Sequence, residues 1–368
     1  METVCNKNQC TGCMACLEVC PKGAIEIRDT LKNYNAVINP QKCIECDACH
    51  KICQNNQDVD CNVSIAWYQG WAKSAEQRAA SSSGGFATEL ARCFIRRSGI
   101  VCSCAFSEGQ FCFKFAEKES ELKRFTGSKY VKSNPQGIYK KIKKYLQMGR
   151  EVLFIGLPCQ AAAVKLFVGN RLSEKLYLVD LICHGSPSPK NIKQFLLEAG
   201  YKLDKVSQVG FRKKDVFRVT QNEQYVDVPG IYDCYSLAFL NCINYTENCY
   251  SCHYAKRERV SDITIGDSWG SDLPQDEKNK GISLALCQTG KGIELLKAAN
   301  LELHLVDLEN AIKHNHQLER PSVKPDCYDK FFDALQSGRK YREAVKIGLP
   351  RTYRNQQIKK VLIKLKII

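Results

Sequence analysis

Cysteines carry the clearest chemical signal in this sequence of 368 residues, which contains 22 of them. One pattern occurs twice: three cysteines separated by two residues each, and a fourth cysteine after three more residues. In this spacing a short loop directs three thiolates to one iron–sulfur cluster, while the fourth thiolate reaches a second cluster. The first copy is Cys10, Cys13, Cys16 and Cys20, and the second is Cys43, Cys46, Cys49 and Cys53.

The doubled pattern predicts two [4Fe-4S] clusters with exchanged fourth ligands. One cluster is expected on Cys10, Cys13, Cys16 and Cys53, and the other on Cys43, Cys46, Cys49 and Cys20. Pro21 after Cys20 fits this pattern, whereas Gln54 stands at the equivalent position of the second copy. The alternative is a pair of structural zinc sites, which need only four ligands each in C-x-x-C pairs. The triple spacing favours clusters.

Four further cysteines are dispersed along the chain. Cys159 and Cys183 each follow a predicted strand, and Cys249-x-x-Cys252 precedes another. Since open α/β sheets build their sites at strand ends, these four thiolates are candidates for a third [4Fe-4S] cluster. The other interpretation is that they are small structural residues in turns. Substitute ligands nearby are Cys242, His184 and His253.

The elements that must position these residues form two regions. Residues 24–28 and 35–38, between the cysteine repeats, alternate as short strands do. Later apolar runs at 152–155, 176–182 and 262–265 alternate with helical stretches, which indicates a mainly parallel sheet. We predict an α/β fold in which a ferredoxin-like domain precedes a mixed, mainly parallel α/β domain. The expected boundaries are 1–60 for the ferredoxin-type domain, 65–150 and 151–324 for two parts of an oxidoreductase domain, and 325–368 for a basic helical tail.

Composition and charge narrow the class of protein. With 44% hydrophobic residues the chain can bury a core, and we expect neither a secretory signal nor a membrane-spanning stretch. We therefore predict a cytoplasmic protein, whose reduced thiols bind metal rather than form disulfides. The net charge of +15 comes from two segments: 123–150 has nine basic and no acidic residues, and 339–368 has ten basic residues and Glu343. The remainder is slightly acidic, so we expect no nucleic-acid binding.

Each basic segment allows two interpretations. Residues 140–144 form either a solvated helix face or a docking patch for an acidic electron-transfer partner or a phosphate-bearing cofactor. At the C-terminus, Ile358, Val361, Leu362 and Leu365 share one helical face, with lysines largely opposite. Such a helix predicts peripheral membrane contact, which would make the protein membrane-associated. Docking on its own domain or on a partner subunit is the alternative.

Six ordered motifs resemble the coenzyme F420 hydrogenase/dehydrogenase beta-subunit family, in the form with an N-terminal two-cluster ferredoxin domain. The resemblance covers about residues 1–300. The motifs are Ser82-Ser83-Gly84-Gly85, Gly156-Leu157-Pro158-Cys159-Gln160, Ile182-Cys183-His184-Gly185-Ser186-Pro187-Ser188, Phe211-Arg212-Lys213, Cys249-Tyr250-Ser251-Cys252 and Ser261-Asp262-Ile263-Thr264-Ile265-Gly266-Asp267-Ser268-Trp269-Gly270.

The resemblance implies a flavin (FAD) enzyme that moves electrons between iron–sulfur clusters and a two-electron partner. Ser83, Gly84 and Gly85 at a helix N-terminus would then hold the flavin pyrophosphate. Lys129 and Arg212 would neutralise phosphates or a reduced ring, and Asp267 would accept a hydrogen bond from ribose or flavin. The resemblance also strengthens the case for a third cluster on Cys159, Cys183, Cys249 and Cys252. Coenzyme F420 is the implied co-substrate.

The leading functional hypothesis is an iron–sulfur flavoprotein oxidoreductase. Its redox partner is expected to be a protein, either a ferredoxin or a catalytic subunit. One alternative is a non-catalytic electron-transfer subunit of a partner enzyme, and another is a redox step in polysaccharide biosynthesis. No residue of the sequence is assigned a catalytic role.

Overall fold

The computed structural model describes residues 2–367. Its N-terminal part contains two short helices and a hairpin, in the order α1 (Ala15–Val19), β1 (Ile25–Asp29), β2 (Tyr34–Ile38) and α2 (Ala48–Lys51). The two strands pair antiparallel and lie within one residue of the predicted strands. Each helix begins after a residue in the left-handed conformation, Met14 (φ 61°) or Asp47 (φ 60°), at equivalent positions of the two copies. The sequence repeat is therefore also a structural repeat.

The following region contains one large and one small sheet. Its strands are β3 (Ala66–Ala72), β4 (Ile100–Ser107), β5 (Gln110–Ala116), β6 (Val152–Gly156), β7 (Leu176–Leu181), β8 (Val209–Lys213), β9 (Val216–Gln221), β10 (Gln224–Tyr225), β11 (Ile263–Asp267), β12 (Ser283–Cys287) and β13 (Leu301–Leu305). Strands β8, β9 and β10 form the small antiparallel sheet.

Helices cover both faces of the large sheet and complete the chain. They are α3 (Ala75–Ala80), α4 (Phe86–Arg96), α5 (Ile138–Gln147), α6 (Pro158–Val168), α7 (Pro189–Glu198), α8 (Cys234–Leu240), α9 (Gln275–Asn279), α10 (Gly290–Ala298), α11 (Leu308–Lys313), α12 (Tyr328–Gln336), α13 (Tyr341–Gly348) and α14 (Pro350–Lys364). Short 3₁₀ turns occur at Glu119–Phe125, Asn170–Lys175, Leu203–Lys205, Glu247–Ser251 and His316–Leu318.

The large sheet has the strand order β13-β3-β12-β11-β7-β6-β4-β5. Its centre, β11-β7-β6-β4, is parallel, and the flanking pairs are antiparallel, which confirms the predicted mixed α/β fold. Parallel strands end at the same edge of a sheet, so the segments that follow β6, β7 and β11 meet there. Cys159, Cys183 and Asp267 are thereby brought to one edge.

The core forms where the apolar pattern predicts it. Strand β6 is the predicted buried run, and every residue in it is buried on both faces of the sheet, as is typical of central parallel strands. Helix α4 turns Phe86, Leu90 and Phe94 inward, which confirms the predicted apolar face. The sequence thus specifies both the strand and the helix that border the large cavity described below.

Most of the region after residue 325 packs into the core and does not form a separate tail. Helices α12 and α13 bury Tyr328, Phe331, Phe332 and Tyr341 in the same core cluster as residues of α7 and α8. Among the three helices of this region, α14 alone has no buried residue. Ile368 lies outside the described residues. Within residues 2–367, none of the helices combines the length and the apolar composition needed to cross a membrane.

Candidate redox site

The structure separates the eight repeat cysteines into the two predicted groups. We call Cys10, Cys13, Cys16 and Cys53 the first thiol group; they line one small cavity. Cys20, Cys43, Cys46 and Cys49, the second thiol group, line another. In both groups the fourth cysteine comes from the other repeat, because the β1–β2 hairpin folds the chain back and places the repeats side by side.

The two groups differ in exposure. Burial raises the pKa of the Cys13 thiol to about 11 and raises that of Cys16 further, with neighbouring thiols adding to both effects. In the second group Cys46 is exposed, and the adjacent Ile44 side chain is 56% exposed. Thiolates in the first group thus need a nearby positive charge, which the iron of a cluster would supply. The second group is the one that another protein can approach.

A third thiol group consists of Cys159, Cys183, Cys249 and Cys252, which line a single cavity. Cys159 lies in the first turn of α6, Cys183 follows β7, and the other two flank the end of a 3₁₀ turn. The Ser186 backbone N–H donates to Cys249 Sγ at 3.3 Å, the type of bond that tunes iron–sulfur ligands. Burial raises the pKa of Cys183 to about 12, and Cys249 and Cys252 raise it as well. The fold therefore gathers residues that are far apart in sequence.

The substitute ligands also lie near this group. His184 and His253 line the same cavity, whereas Cys242 lines the neighbouring larger one. Burial, followed by the nearby His316, lowers the pKa of His184 to about 4, so its imidazole is neutral at neutral pH. Its Nδ1 lies 2.7 Å from Gln317 Nε2. Within the described residues, no three His, Cys, Asp or Glu side chains are close enough to hold a single metal ion.

The three thiol groups lie in a row. Cys49 of the second group is close enough to Cys16 of the first to contribute to raising its pKa. Cys13 contributes in the same way to the raised pKa of Cys159, whose main cause is burial. The order is therefore second group, first group, third group, running from the exposed surface into the α/β region.

A large cavity of about 520 Å³ continues this row. Its volume lies within the roughly 300–1,000 Å³ that is usual for organic ligands. Cys183, His184, Gly185 and Ser186 line both this cavity and the cavity of the third thiol group. A molecule bound here would thus be separated from the third group by the segment that carries Cys183 and by Leu157, which also lines both cavities.

Five of the six residues predicted to bind a cofactor line the large cavity: Ser83, Gly85, Lys129, Arg212 and Asp267. Gly84 does not line it. Its Cα packs against the backbone of Gly70 and Ser283, where a Cβ would collide, and its N–H donates to Ser283 Oγ at 2.9 Å. Gly84 therefore holds the loop against β3 and β12, and this close approach explains the first glycine of the motif.

Comparison with protein families assigns both regions. Residues 149–311 match the family described as coenzyme F420 hydrogenase/dehydrogenase, C terminus of the beta subunit. Residues 9–56 match the 4Fe-4S dicluster domain. Residues 149–311 thus carry the C-terminal region of the F420 hydrogenase/dehydrogenase beta subunit, and residues 9–56 carry a 4Fe-4S dicluster domain. It is an iron–sulfur protein of an oxidoreductase family, and the predicted family assignment is confirmed.

Other comparisons give less detail. A chain of the F420-reducing [NiFe] hydrogenase complex from Methanosarcina barkeri is 18% identical, with a TM-score of 0.43 over 81% of this chain and 94% of that chain. Curated proteins provide no match. Within this chain, the family's C-terminal region contains all of the third thiol group together with Arg212 and Asp267. Ser83–Gly85 and Lys129 come from the part of the chain that precedes it.

Arg212 and Asp267 form an ion pair in the cavity wall. Arg212 Nη1 and Nη2 donate to the two Asp267 carboxylate oxygens at 2.6 and 2.8 Å, and Arg212 also lies over the rings of Phe217 and Trp269. Burial opposes the charge on Arg212, but the hydrogen bonds to Asp267 outweigh it and raise the arginine pKa. The pair is therefore a fixed, planar, polar part of the cavity wall.

Sequence reasoning missed the aromatic part of this wall. Tyr130 and Phe239 stack with ring centroids 4.3 Å apart, and both line the cavity with Phe217 and Trp269. Only Trp269 falls inside a family motif, immediately after Asp267-Ser268. Because Tyr130 and Phe239 come from distant segments, no spacing in the sequence links them.

Proposed function

We propose that the chain is an iron–sulfur flavoprotein oxidoreductase that passes electrons between its clusters and a two-electron carrier. The observation that carries this proposal is the wall shared by the third thiol group and the large cavity. In this arrangement a flavin ring in the cavity is adjacent to a cluster on Cys159, Cys183, Cys249 and Cys252. Two further clusters on the first and second thiol groups extend the route to the surface.

The cavity residues fit FAD in charge and shape. Phe86, Ala87 and Thr88, the first residues of α4, line the cavity, and their backbone N–H groups have no partner within the helix. This helix N-terminus would hold the pyrophosphate, because free N–H groups and the helix dipole favour anions. The aromatic side chains would enclose the ring. When bound, the flavin would supply exchange between two-electron and one-electron transfer.

The chain's own residues have separate tasks in this proposal. Gly84 fixes the loop that precedes α4, and the Arg212–Asp267 pair orients polar groups of the ligand. The aromatic wall excludes water and oxygen from the ring. The exposed second thiol group is where a redox protein, a ferredoxin or a catalytic subunit, would exchange electrons. Coenzyme F420 is the proposed co-substrate.

Exposure of the second thiol group also favours a second candidate function. As a non-catalytic subunit, the chain would accept electrons at Cys46 and deliver them to a partner enzyme. Such a protein would show cluster signals but would not turn over any small acceptor. Nothing in the described residues favours a role in polysaccharide biosynthesis.

Anaerobic purification followed by iron, sulfide and flavin analysis tests the proposal. We expect a yellow-brown protein with about eight to twelve irons per chain and bound FAD. Full iron content with failure to bind FAD after reconstitution would contradict the flavoenzyme and leave the electron carrier. Turnover of F420, ferredoxin or a nicotinamide then distinguishes the possible co-substrates.

A variant of Lys129 tests whether the large cavity binds an anionic ligand. Burial lowers the pKa of this lysine to about 8, and its Nζ donates to the carbonyls of Phe125 and Thr126 at 2.6 and 3.0 Å. It is cationic below that pH and neutral above it, so an anionic ligand should bind more weakly as pH rises through about 8 and beyond. We expect Lys129→Met to weaken FAD binding about tenfold at pH 7, equivalent to about 1.4 kcal/mol.

Flavin fluorescence titration of the full chain at several pH values measures this effect. The Met variant should lose the decline in affinity above pH 8, which a merely structural role would not remove. Lys213, whose side chain is exposed outside the cavity, supplies the matched control. An unchanged pH profile in Lys129→Met would contradict contact between Lys129 and the ligand's charge.

We also propose that α14 contacts an anionic lipid surface. One side of α14 contacts the rest of the fold. There Gln356 Oε1 accepts from the Tyr232 N–H at 3.0 Å, and Lys360 pairs with Asp227 at 2.5 Å. The opposite side exposes Ile358 (53%), Val361 (54%) and Leu365 (63%). Exposed Lys359, Lys364 and Lys366 flank this stripe. Apolar side chains bordered by lysines fit anionic headgroups over acyl chains.

Co-sedimentation with vesicles tests this contact. We expect the full chain to bind phosphatidylserine-containing vesicles and to bind phosphatidylcholine vesicles much more weakly. Replacing Ile358 and Leu365 with glutamate should abolish binding, whereas Glu at Asn355, on another side of α14, should only weaken it. Equal binding by the wild type and the double variant would contradict lipid contact through this stripe.

A further inference from the structure

Lys132 is a buried cation in a segment that the sequence treats as surface charge. Among the nine basic residues of segment 123–150, Lys140, Lys141 and Lys144 lie on the exposed side of α5. Lys132 is only 5% exposed. Its backbone N–H donates to the Pro187 carbonyl at 2.8 Å, so the main chain fixes its position.

The ammonium group of Lys132 has a single protein partner. Its Nζ donates to the Thr11 carbonyl at 2.8 Å, and within residues 2–367 it makes no ion pair with a carboxylate. A buried ammonium group without a counter-charge costs several kcal/mol. A carbonyl oxygen does not neutralise this charge, so its compensation must come from another negative group.

The surroundings of Lys132 identify that group. Thr11 lies between Cys10 and Cys13 of the first thiol group, and Lys132 also lines the cavity of the third thiol group. The Lys132 side chain therefore reaches from the cavity of the third group to the backbone of the loop that carries the first group. Lys132 does not line the cavity of the second group, so its positive charge lies beside the first and third groups.

Cluster chemistry supplies the missing negative charge. A [4Fe-4S] cluster with four thiolate ligands carries a net negative charge and becomes more negative on reduction. A nearby fixed cation in a medium of low dielectric stabilises the reduced form more than the oxidised form. The cation thus raises the reduction potential of any cluster beside it.

We propose that Lys132 is the shared counter-charge of the first and third clusters and raises the reduction potentials of both. The inference rests on the clusters of the proposed function, but not on the flavin. Lys132 is then a tuning residue that makes reduction of the two inner clusters easier. Electrons that enter at the exposed second group would be drawn inward by this charge.

Redox titration of the anaerobically purified full chain, followed by electron paramagnetic resonance, tests the proposal. We expect Lys132→Met to make the two inner clusters about tenfold harder to reduce, a shift of about −59 mV for a one-electron couple. The second cluster should keep its potential, and Lys132→Arg should restore the inner ones. Lys140→Met, an exposed lysine of α5, should change none of the three.

The outcomes separate Lys132 from the proposed function. An iron content well below twelve per chain in the wild type would contradict the three clusters themselves, while unchanged potentials in Lys132→Met would overturn only the counter-charge. Lys132→Gln tests whether an effect of Lys132→Met comes from altered packing and not from the lost charge. If the Met and Gln variants lose the inner clusters and the Arg variant keeps them, the charge is again supported. Loss in all three variants would overturn it.

Discussion

Replacing Cys183 with alanine is expected to remove about four irons and four sulfides per chain and to stop electron transfer between the ferredoxin-type clusters and bound flavin. Cys183 is in the segment that separates the third thiol group from the large cavity. Loss of this ligand should therefore remove the link between them and leave the first and second clusters in place. Iron and sulfide analysis measures the loss, and stopped-flow absorbance follows flavin reduction after the clusters are reduced.

Cys242→Ala is the matched control for this variant. Cys242 is nearby but lines the large cavity, where its Sγ lies 3.7 Å from the Tyr245 hydroxyl. The control should retain the full iron content. If it loses the same iron while Cys183→Ala does not, the ligand set must include Cys242 instead.

Replacing Arg259 with methionine is expected to lower the free energy of unfolding by about 3–5 kcal/mol, because it leaves a buried carboxylate unpaired. Arg259 and Asp180 are 2% and 0% exposed, and Arg259 Nη2 lies 2.9 Å from Asp180 Oδ1. The same guanidinium donates to the carbonyls of Tyr254 and Leu181 at 2.6 and 3.1 Å. It thus ties the segment after Cys252 to the end of β7, just before Cys183.

The Arg259 variant should therefore also lose the third cluster. Anaerobic urea unfolding gives the stability, and iron analysis on the same sample gives the cluster content. Arg257→Met is the control in the same segment: its ion pairs with Glu309 and Glu319, at 2.8 and 2.7 Å, lie at the surface. It should barely move the unfolding midpoint. Equal destabilisation by both variants would contradict the special role of the buried pair.

Local patterns explain what the sequence could predict. The cysteine spacing and the apolar runs act over a few residues, so they indicated the repeated N-terminal elements, β6 and the inward face of α4. The alternation of strands and helices indicated the parallel centre of the sheet. The antiparallel flanks were harder, since β12 and β13 pair with β3, which lies far away in sequence.

Features that depend on tertiary contacts could not be predicted from the sequence. Lys132 lies in a strongly basic stretch of sequence, and only the tertiary structure shows that it is buried, with its Nζ on the Thr11 carbonyl. Tyr130 and Phe239 meet across the cavity from segments that share no motif. Helices α12 and α13 resembled a basic tail because their outward sides carry the charges, while their aromatic side chains complete a distant core cluster.

The exchange of Cys20 and Cys53 between the two repeats has a consequence for chain topology. In the proposed ligation, each cluster joins residues from both halves of the ferredoxin region, so the metals close loops that the peptide chain leaves open. Closing such loops reduces the entropy of the unfolded chain, and the benefit to each repeat depends on the other. The two clusters would therefore stabilise the ferredoxin region jointly. Opening either one loosens the structure around both.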